Sequence, residues 1–246
     1  MLAQRLYNSN MPHTVSRIAK VTALAASELF SALSRAELER VAEQWSAKTF
    51  FAGTILFGAQ QPGDGAYIIV RGTIKLHIEQ LDGSDVLIDI SGAGDVLGEM
   101  SIVENMGRSA TAQTLEETCV LQIDRARFEE LLRANPRVSQ NLMRILSARL
   151  RAANARIQAL SRLDVKQRVA RQLLIFADKY GAPDAHGSIL IQIRLTQADI
   201  ADLVGATRER VNQVLGEMRR ARLLEMDSTN HFTLYAREQL EALVAA

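Results

Sequence analysis

The stretch Thr196-Gln197-Ala198-Asp199-Ile200-Ala201-Asp202-Leu203-Val204-Gly205-Ala206-Thr207-Arg208-Glu209-Arg210-Val211 decides the architecture of this 246-residue chain. Thr196 with Asp199 three residues later is a capping-box arrangement, and it starts a short helix through Ile200, Ala201 and Val204 that Gly205 ends. A helix-turn-helix needs a short first helix, a small residue where its helices touch and a glycine to relieve the turn. Ala201 and Gly205 meet those demands. Thr207 caps the second helix, whose Val211, Val214, Leu215 and Met218 form an inner face, leaving Arg208, Glu209, Asn212 and Gln213 outward near its N-terminus. Leu223–Met226, the turn Asp227–Asn230 and His231–Tyr235 then read as a small hairpin, which makes the module winged.

The outward face has the donors and acceptors of a major-groove reader. Arginine can bridge O6 and N7 of guanine, and a neighbouring carboxylate can accept from cytosine N4, roles that fit Arg208 and Glu209. Thr207, Arg210, Arg219 and Arg220 are placed on phosphates, which position a protein without reading sequence. Thr196, at the start of the first helix, joins the candidate DNA contacts. The competing reading is a helical hairpin with a solvated charged face, or a module that binds a protein; salt-dependent binding to duplex DNA separates them.

Upstream of this module the chain is helical back to Arg125. Leu163-Asp164-Val165 reads as a hinge, a helix runs on to about Tyr180, Gly181–Gly187 forms a loop and Ile189–Ile193 a strand. A long helix spans about Arg137 to Ser161. Along it Met143, Leu146, Leu150, Ala153, Ile157 and Leu160 recur at steps of 3, 4, 3, 4 and 3, the pattern of a two-stranded coiled coil. That predicts a homodimer, since Arg144, Arg149, Arg151 and Arg156 crowd the other faces; a helix packed on its own domain is the alternative.

Before Arg125 the period changes from helical to alternating. Thr54–Phe57, Ala66–Val70, Thr73–Ile78, Val86–Ile90, Thr111–Leu115 and Thr118–Ile123 are short β-branched runs, separated by Gly63-Asp64-Gly65, Arg71-Gly72, Asp82-Gly83-Ser84 and Gly92-Ala93-Gly94-Asp95. That spacing predicts a closed antiparallel β-barrel or jelly roll. Ser27 is placed as the cap of a helix over Glu28–Leu33, and Ser34 as the start of another whose Leu38, Val41 and Trp45 share a face. The fold class is α+β. The expected divisions are a flexible arm over 1–26, a barrel domain over 27–136, the dimerisation helix over 137–163 and the winged helix-turn-helix over 164–246.

Composition agrees with a folded soluble chain: 48% of residues are apolar and 23% charged. Apolar runs fall far short of the ~20 residues needed to cross a bilayer, and no signal-peptide core begins the chain, so no membrane is expected and the location is read as cytoplasmic. The lone cysteine, Cys119, is read as a core residue. Net charge is +1, but residues 1–124 carry 9 basic and 15 acidic side chains, leaving 20 and 13 for residues 125–246. An acidic half joined to a basic half fits a regulatory module joined to a nucleic-acid reader.

Two segments of the barrel add a ligand chemistry. Gly98 lets backbone approach a phosphate, Arg108 supplies a forked cation, and Ser109 offers a hydroxyl and an N–H. Glu99 would repel a phosphate unless the ligand also carries a hydroxyl, as a cyclic ribonucleotide does; an Arg–Glu ion pair across a turn is the bland reading. Gly98-Glu99-Met100-Ser101 and Arg108-Ser109-Ala110-Thr111 resemble the phosphate-binding cassette of cyclic-nucleotide-binding domains. Thr207-Arg208-Glu209-Arg210-Val211 is similar to the recognition helix of the bacterial cyclic AMP receptor protein and fumarate–nitrate regulator family, and the resemblance extends from about Ser27 to Leu243.

The resemblance implies a ligand site at Gly98, Glu99, Met100, Ser101, Arg108, Ser109, Arg149 and Asn154, with cyclic AMP as effector, double-stranded DNA and RNA polymerase as partners, and transcription regulation as the outcome. Two positions depart from the family. Ala153-Asn154 stands where cyclic AMP receptors place a Thr-Ser pair on the base, which keeps cyclic GMP, another anion or no ligand open. Gln213 stands where the family has a second groove arginine, and glutamine prefers adenine. An iron–sulfur cluster lacks its cysteines, while haem would have to use His77, His13, His186 and His231 being scattered. No Walker-type loop, nucleophile elbow or metal-ligand spacing appears, so no catalytic or metal residue is assigned and an enzyme is not expected.

Overall fold

Successive residues of a strand point to opposite faces, so a run such as Ala66-Tyr67-Ile68-Ile69-Val70 calls for a sheet that is covered on both sides. The computed structural model, which describes residues 16–80 and 85–245, supplies that cover. In chain order it contains α1 (Arg17–Ala26), a 3-10 turn (Glu28–Phe30), α2 (Arg35–Ala42), β1 (Ser46–Phe50), β2 (Ile55–Phe57), β3 (Gly65–Arg71), β4 (Ile74–Glu79), β5 (Asp85–Ser91), β6 (Val96–Leu97), α3 (Glu99–Val103), β7 (Thr111–Thr114), β8 (Thr118–Asp124), α4 (Arg125–Ala134) and α5 (Pro136–Arg162). It continues with α6 (Val165–Tyr180), β9 (Gly181–Pro183), β10 (Ile189–Ile191), α7 (Gln197–Val204), α8 (Arg208–Arg220), β11 (Leu224–Met226), β12 (Phe232–Leu234) and α9 (Arg237–Ala245). The chain divides into two compact units after Arg149, within α5.

In the first unit two four-stranded antiparallel sheets, ordered β1-β8-β3-β6 and β2-β7-β4-β5, have the topology of a jelly roll. Their facing sides meet in a core of Phe57, Tyr67, Ile69, Ile74, Leu97, Ala112 and Val120. The other side of the β1-β8-β3-β6 sheet presents Ala66, Ile68, Val96, Leu121 and Ile123 to the helices, where Trp45 meets Phe30 and Phe128 edge-on at ring separations of 6.1 and 6.4 Å. Cys119 is buried in β8, as its residue type led us to expect.

The arm expected over 1–26 is helical from Arg17, capped by Ser16, and Leu24 is fully buried; residues 1–15, with His13, lie outside the described residues, as does Asp82-Gly83-Ser84. The helix placed at Glu28–Leu33 is a single 3-10 turn with no side-chain cap from Ser27. α2 does begin at a capping box, Ser34 with Glu37, but ends at Ala42, so Trp45 reaches the core from beyond it. β1, β6 and α3 were not foreseen, being short or mixed in polarity.

The second unit packs α6 against the helix-turn-helix and a sheet ordered β11-β12-β10-β9. Val169, Ala170, Leu173 and Phe176 supply the buried face of α6, which starts at a capping box made by Asp164 and Gln167. The first residues of the loop expected at Gly181–Gly187 instead form β9, paired with β10. β11 and β12 pair as the expected wing.

Candidate ligand pocket and nucleic-acid interface

The pocket of the first unit forms where β6 runs into α3. Gly98, at φ +80°, turns the chain from strand to helix; a Cβ there would lie 2.2 Å from Nη1 of Arg108. Glycine is therefore required twice at this position, for the left-handed backbone and for the close approach of a guanidinium. Besides the phosphate approach expected of Gly98, its missing side chain makes room for Arg108.

Arg108 is 1% exposed. Its Nη1 donates to the Gly98 carbonyl at 2.7 Å and to Ser101 Oγ at 3.1 Å, and its Nη2 donates to Asp64 Oδ1 at 2.6 Å and to the Gly65 carbonyl at 2.8 Å. The guanidinium carbon stands 4.4 Å from the centre of the Phe57 ring. The Nε of Arg108 is buried and has no hydrogen-bond partner.

Glu99 is 1% exposed at the first turn of α3. Arg149, from α5, donates to Oε1 of Glu99 and, at 2.6 Å, to the Val96 carbonyl, while Oε2 of Glu99 is buried without a partner. Burial pushes the Glu99 carboxyl up, against the opposing pull of Arg149 and Arg108. Phe57, Leu76, Leu97, Met100 and Ala110 form the pocket's less polar wall, with Ser109 at its rim, where the serine hydroxyl points to Met100 Sδ at 3.8 Å. Thus the structure brings together Gly98, Glu99, Met100, Ser101, Arg108, Ser109 and Arg149. Asn154 is exposed on α5 and is not among the residues that line this pocket.

Sequence reading missed Asp64, Phe57 and Leu76. The Gly63-Asp64-Gly65 signal was legible as a turn, but nothing in it shows that the turn closes on a residue 44 positions later. His77 is 7% exposed in β4, with Nε2 3.5 Å from Asp85; burial lowers its pKa. Among the described residues no group of three or more His, Cys, Asp or Glu could hold a metal ion.

In the second unit the helix-turn-helix follows the sequence closely. Thr196 and Asp199 form the reciprocal capping box of α7, and Gly205 ends it at φ +60°. The Thr196 hydroxyl is used within that box, donating to Asp199 Oδ2 at 2.6 Å and accepting from the Asp199 N–H at 3.1 Å. Thr207 caps α8, accepting from the Arg210 N–H at 3.3 Å. Val211, Val214, Leu215 and Met218 are buried against the unit, leaving Arg208, Glu209, Arg210, Asn212 and Gln213 exposed. The Glu209 carboxyl is held below its ordinary range by its own N–H and by the Thr207 hydroxyl, so it is an anion at neutral pH. Arg210 donates to Gln213 Oε1 at 2.7 Å, which ties the glutamine to its own helix surface.

Residues 47–135 match the model of the cyclic nucleotide-binding domain, and residues 167–243 match that of the Crp-like helix-turn-helix domain. A ligand-binding jelly roll joined to such a reader defines a transcription regulator rather than an enzyme. The chain belongs to the cyclic AMP receptor protein and fumarate–nitrate regulator family: it is 34% identical over 194 residues, 79% of its length and 86% of the relative's, to the CRP-like cAMP-activated global transcriptional regulator of Mycobacterium tuberculosis. It is 31% identical over 189 residues, 77% of its length and 84% of the relative's, to the cyclic AMP receptor protein of Thermus thermophilus. In fold it is similar to FixK2 of Bradyrhizobium japonicum, with a TM-score of 0.71 and 22% identity over 82% of this chain and 98% of that one.

Proposed function

We propose that this regulator is a cytoplasmic homodimer switched by a cyclic nucleotide, cyclic AMP, and that it binds pseudopalindromic promoter sites through the major groove, with RNA polymerase as its partner there. The observation that carries the ligand class is the pair of unsatisfied groups in one pocket. Nε of Arg108 lacks an acceptor and Oε2 of Glu99 lacks a donor, and both are buried. A buried polar atom without a partner costs about 1–3 kcal/mol, so a ligand that brings an anionic oxygen and a hydroxyl together recovers both costs. A cyclic ribonucleotide has that combination. The names of the Mycobacterium and Thermus relatives favour adenine as the base.

The residues that would hold it are Arg108 at the phosphate, Glu99 at the ribose, Gly98, Met100, Ser101 and Ser109 around them, and Arg149 from α5; Asn154 is assigned to the base. Met143, Leu150 and Ile157 are 61%, 63% and 66% exposed, and with Ala153 and Leu160 they form the seam through which α5 pairs with its copy, whereas Leu146, expected in the same seam, packs against the core of its own unit. Ligand bound at Glu99 and Arg149 alters packing along Ala153–Leu160, and Leu163–Val165 passes the change to the reading head. Such a switch requires the ligand to bind the DNA-competent arrangement more tightly than the other. On DNA, Arg208 and Glu209 read a G·C pair, Asn212 and Gln213 face neighbouring bases, and Thr207, Arg210 and Thr196 lie towards phosphates.

Calorimetric titration with cyclic AMP, beside cyclic GMP, tests the reading. Selective micromolar binding of cyclic AMP is the expected result, lost in Arg108→Ala while that variant, though less stable for the loss of a buried network of four hydrogen bonds, still unfolds cooperatively. Unchanged affinity in that variant would remove Arg108 from the site, selectivity for cyclic GMP would reassign the base, and heat from neither nucleotide would reject the cyclic-nucleotide reading.

A further inference from the structure

The hydrogen bonds of Arg108 raise a question of competition. Nη1 spends its hydrogens on Gly98 and Ser101, and Nη2 spends its own on Asp64 and Gly65, so only Nε–H is left. Arginine grips phosphate best with two parallel N–H groups. The fork that includes Nε must use Nη2 as its second tine, and Nη2 is the nitrogen that the Asp64 carboxylate holds at 2.6 Å. The other acceptors of the guanidinium are neutral: two backbone carbonyls and a hydroxyl.

The two partners differ sharply in what it takes to move them. The Arg108 side chain is 1% exposed, enclosed by Phe57, Tyr67 and Gly98, whereas the Asp64 side chain is 70% exposed. The turn that carries Asp64 is fixed against the cassette, because a Cβ at Gly63 would lie 2.3 Å from Ser101 Oγ and one at Gly65 would lie 2.3 Å from the Ile123 carbonyl. Backbone and arginine are therefore held in place, and only the aspartate side chain can swing away into water.

We propose that Asp64 is an internal anion that competes with the ligand's phosphate for Arg108 and so sets the affinity of the pocket. This rests on the cyclic-nucleotide reading above. The carboxylate keeps the guanidinium oriented and neutralised, and a phosphate entering beside Nε displaces it from Nη2, at a cost equal to the pair's own stabilisation. Because Asp64 is well solvated, that cost is modest and the exchange is readily reversed.

The test is calorimetric titration with cyclic AMP and cyclic GMP of the full-length wild type, Asp64→Asn, Asp64→Ala and, as a control for net charge, Glu104→Gln, an exposed acid that does not line the pocket. Asp64→Asn keeps the shape and an acceptor oxygen but removes the charge, so it should bind nucleotide a few-fold more tightly, the gain expected for weakening one well-solvated ion pair. Asp64→Ala should bind at least as tightly as wild type, and Glu104→Gln should bind like wild type. Unchanged or weaker binding by Asp64→Asn overturns the proposal, weaker binding meaning that Asp64 aligns Arg108 for the ligand. An equal gain in Glu104→Gln overturns it too, by assigning the effect to net charge. Binding by the wild type with no gain in Asp64→Asn rejects the competition alone; binding by none of the four proteins rejects the nucleotide reading and the competition with it.

Discussion

Glu99, proposed to meet the ligand's ribose, shows how a buried carboxyl burdens the protein that carries it. Removing its carboxylate from water is the largest influence on it, and the contacts from Arg149 and Arg108 offset only part of that cost. The folded chain therefore keeps a proton on Glu99 at pH values where the unfolded chain has released it. The group's contribution to stability is full below the ordinary carboxylate range and is lost as pH rises through the elevated folded value. Glu99→Gln, which cannot ionise, should resist urea better than the wild type at about pH 8, with the gap closing towards about pH 4. A gap of opposite sign at the higher pH would mean that the Arg149 pair outweighs burial. That Glu99 and Arg108 share a pocket was legible through the resemblance of their two segments to a cyclic-nucleotide cassette, since residue type alone allowed a plain ion pair as well. The contact of Arg108 with Asp64 was not, since it depends on how β3 is placed beside the cassette, a long-range result of sheet pairing.

Among the elements, legibility followed length and local chemistry. α4 and α5 lie where apolar period and Pro136 put them, and the capping boxes at Ser34 and Thr196 start the helices they announce. α1 was passed over because alanine and polar residues dilute its pattern, although Ile18, Val21 and Leu24 recur at a helical interval. β6, two residues long, exists only because β3 is there to pair with it. The turn of the helix-turn-helix is the most constrained of these local features: Gly205 adopts φ +60°, and a Cβ there would lie 2.9 Å from Leu160 Cδ2. Gly205→Ala should lower stability by about 1–2 kcal/mol for the left-handed backbone alone, more if Leu160 cannot yield. Urea unfolding of the variant measures this; a loss under about 0.5 kcal/mol would show that the turn relaxes out of the left-handed region.

For the whole molecule, the dimer proposed through α5 and the exposed N-terminal turn of α8 would together define the DNA that can be read. Two recognition helices related by a two-fold axis require half-sites about 34 Å apart, one turn of duplex. Inserting about half a turn between the half-sites should abolish ligand-dependent binding in an anisotropy assay, whereas inserting a full turn tests how far the dimer can stretch. Insensitivity to spacing would indicate that each chain binds alone. A different consequence follows from the β1-β8-β3-β6 sheet, whose two faces belong to two different cores. Along β3 and β8 neighbouring residues answer to different neighbours, Ile68 to the helices and Ile69 to the pocket side, and a shift of one residue in register would spoil both at once. The β4–β5 edge has no such double obligation, with Val86 and Ile88 exposed on its outer side. Evolutionary drift in this domain is thereby channelled: the solvent side of the outer sheet is free to vary and to acquire new contacts, while its inner side, which brings Phe57 and Leu76 to the pocket, and the whole of the inner sheet are held.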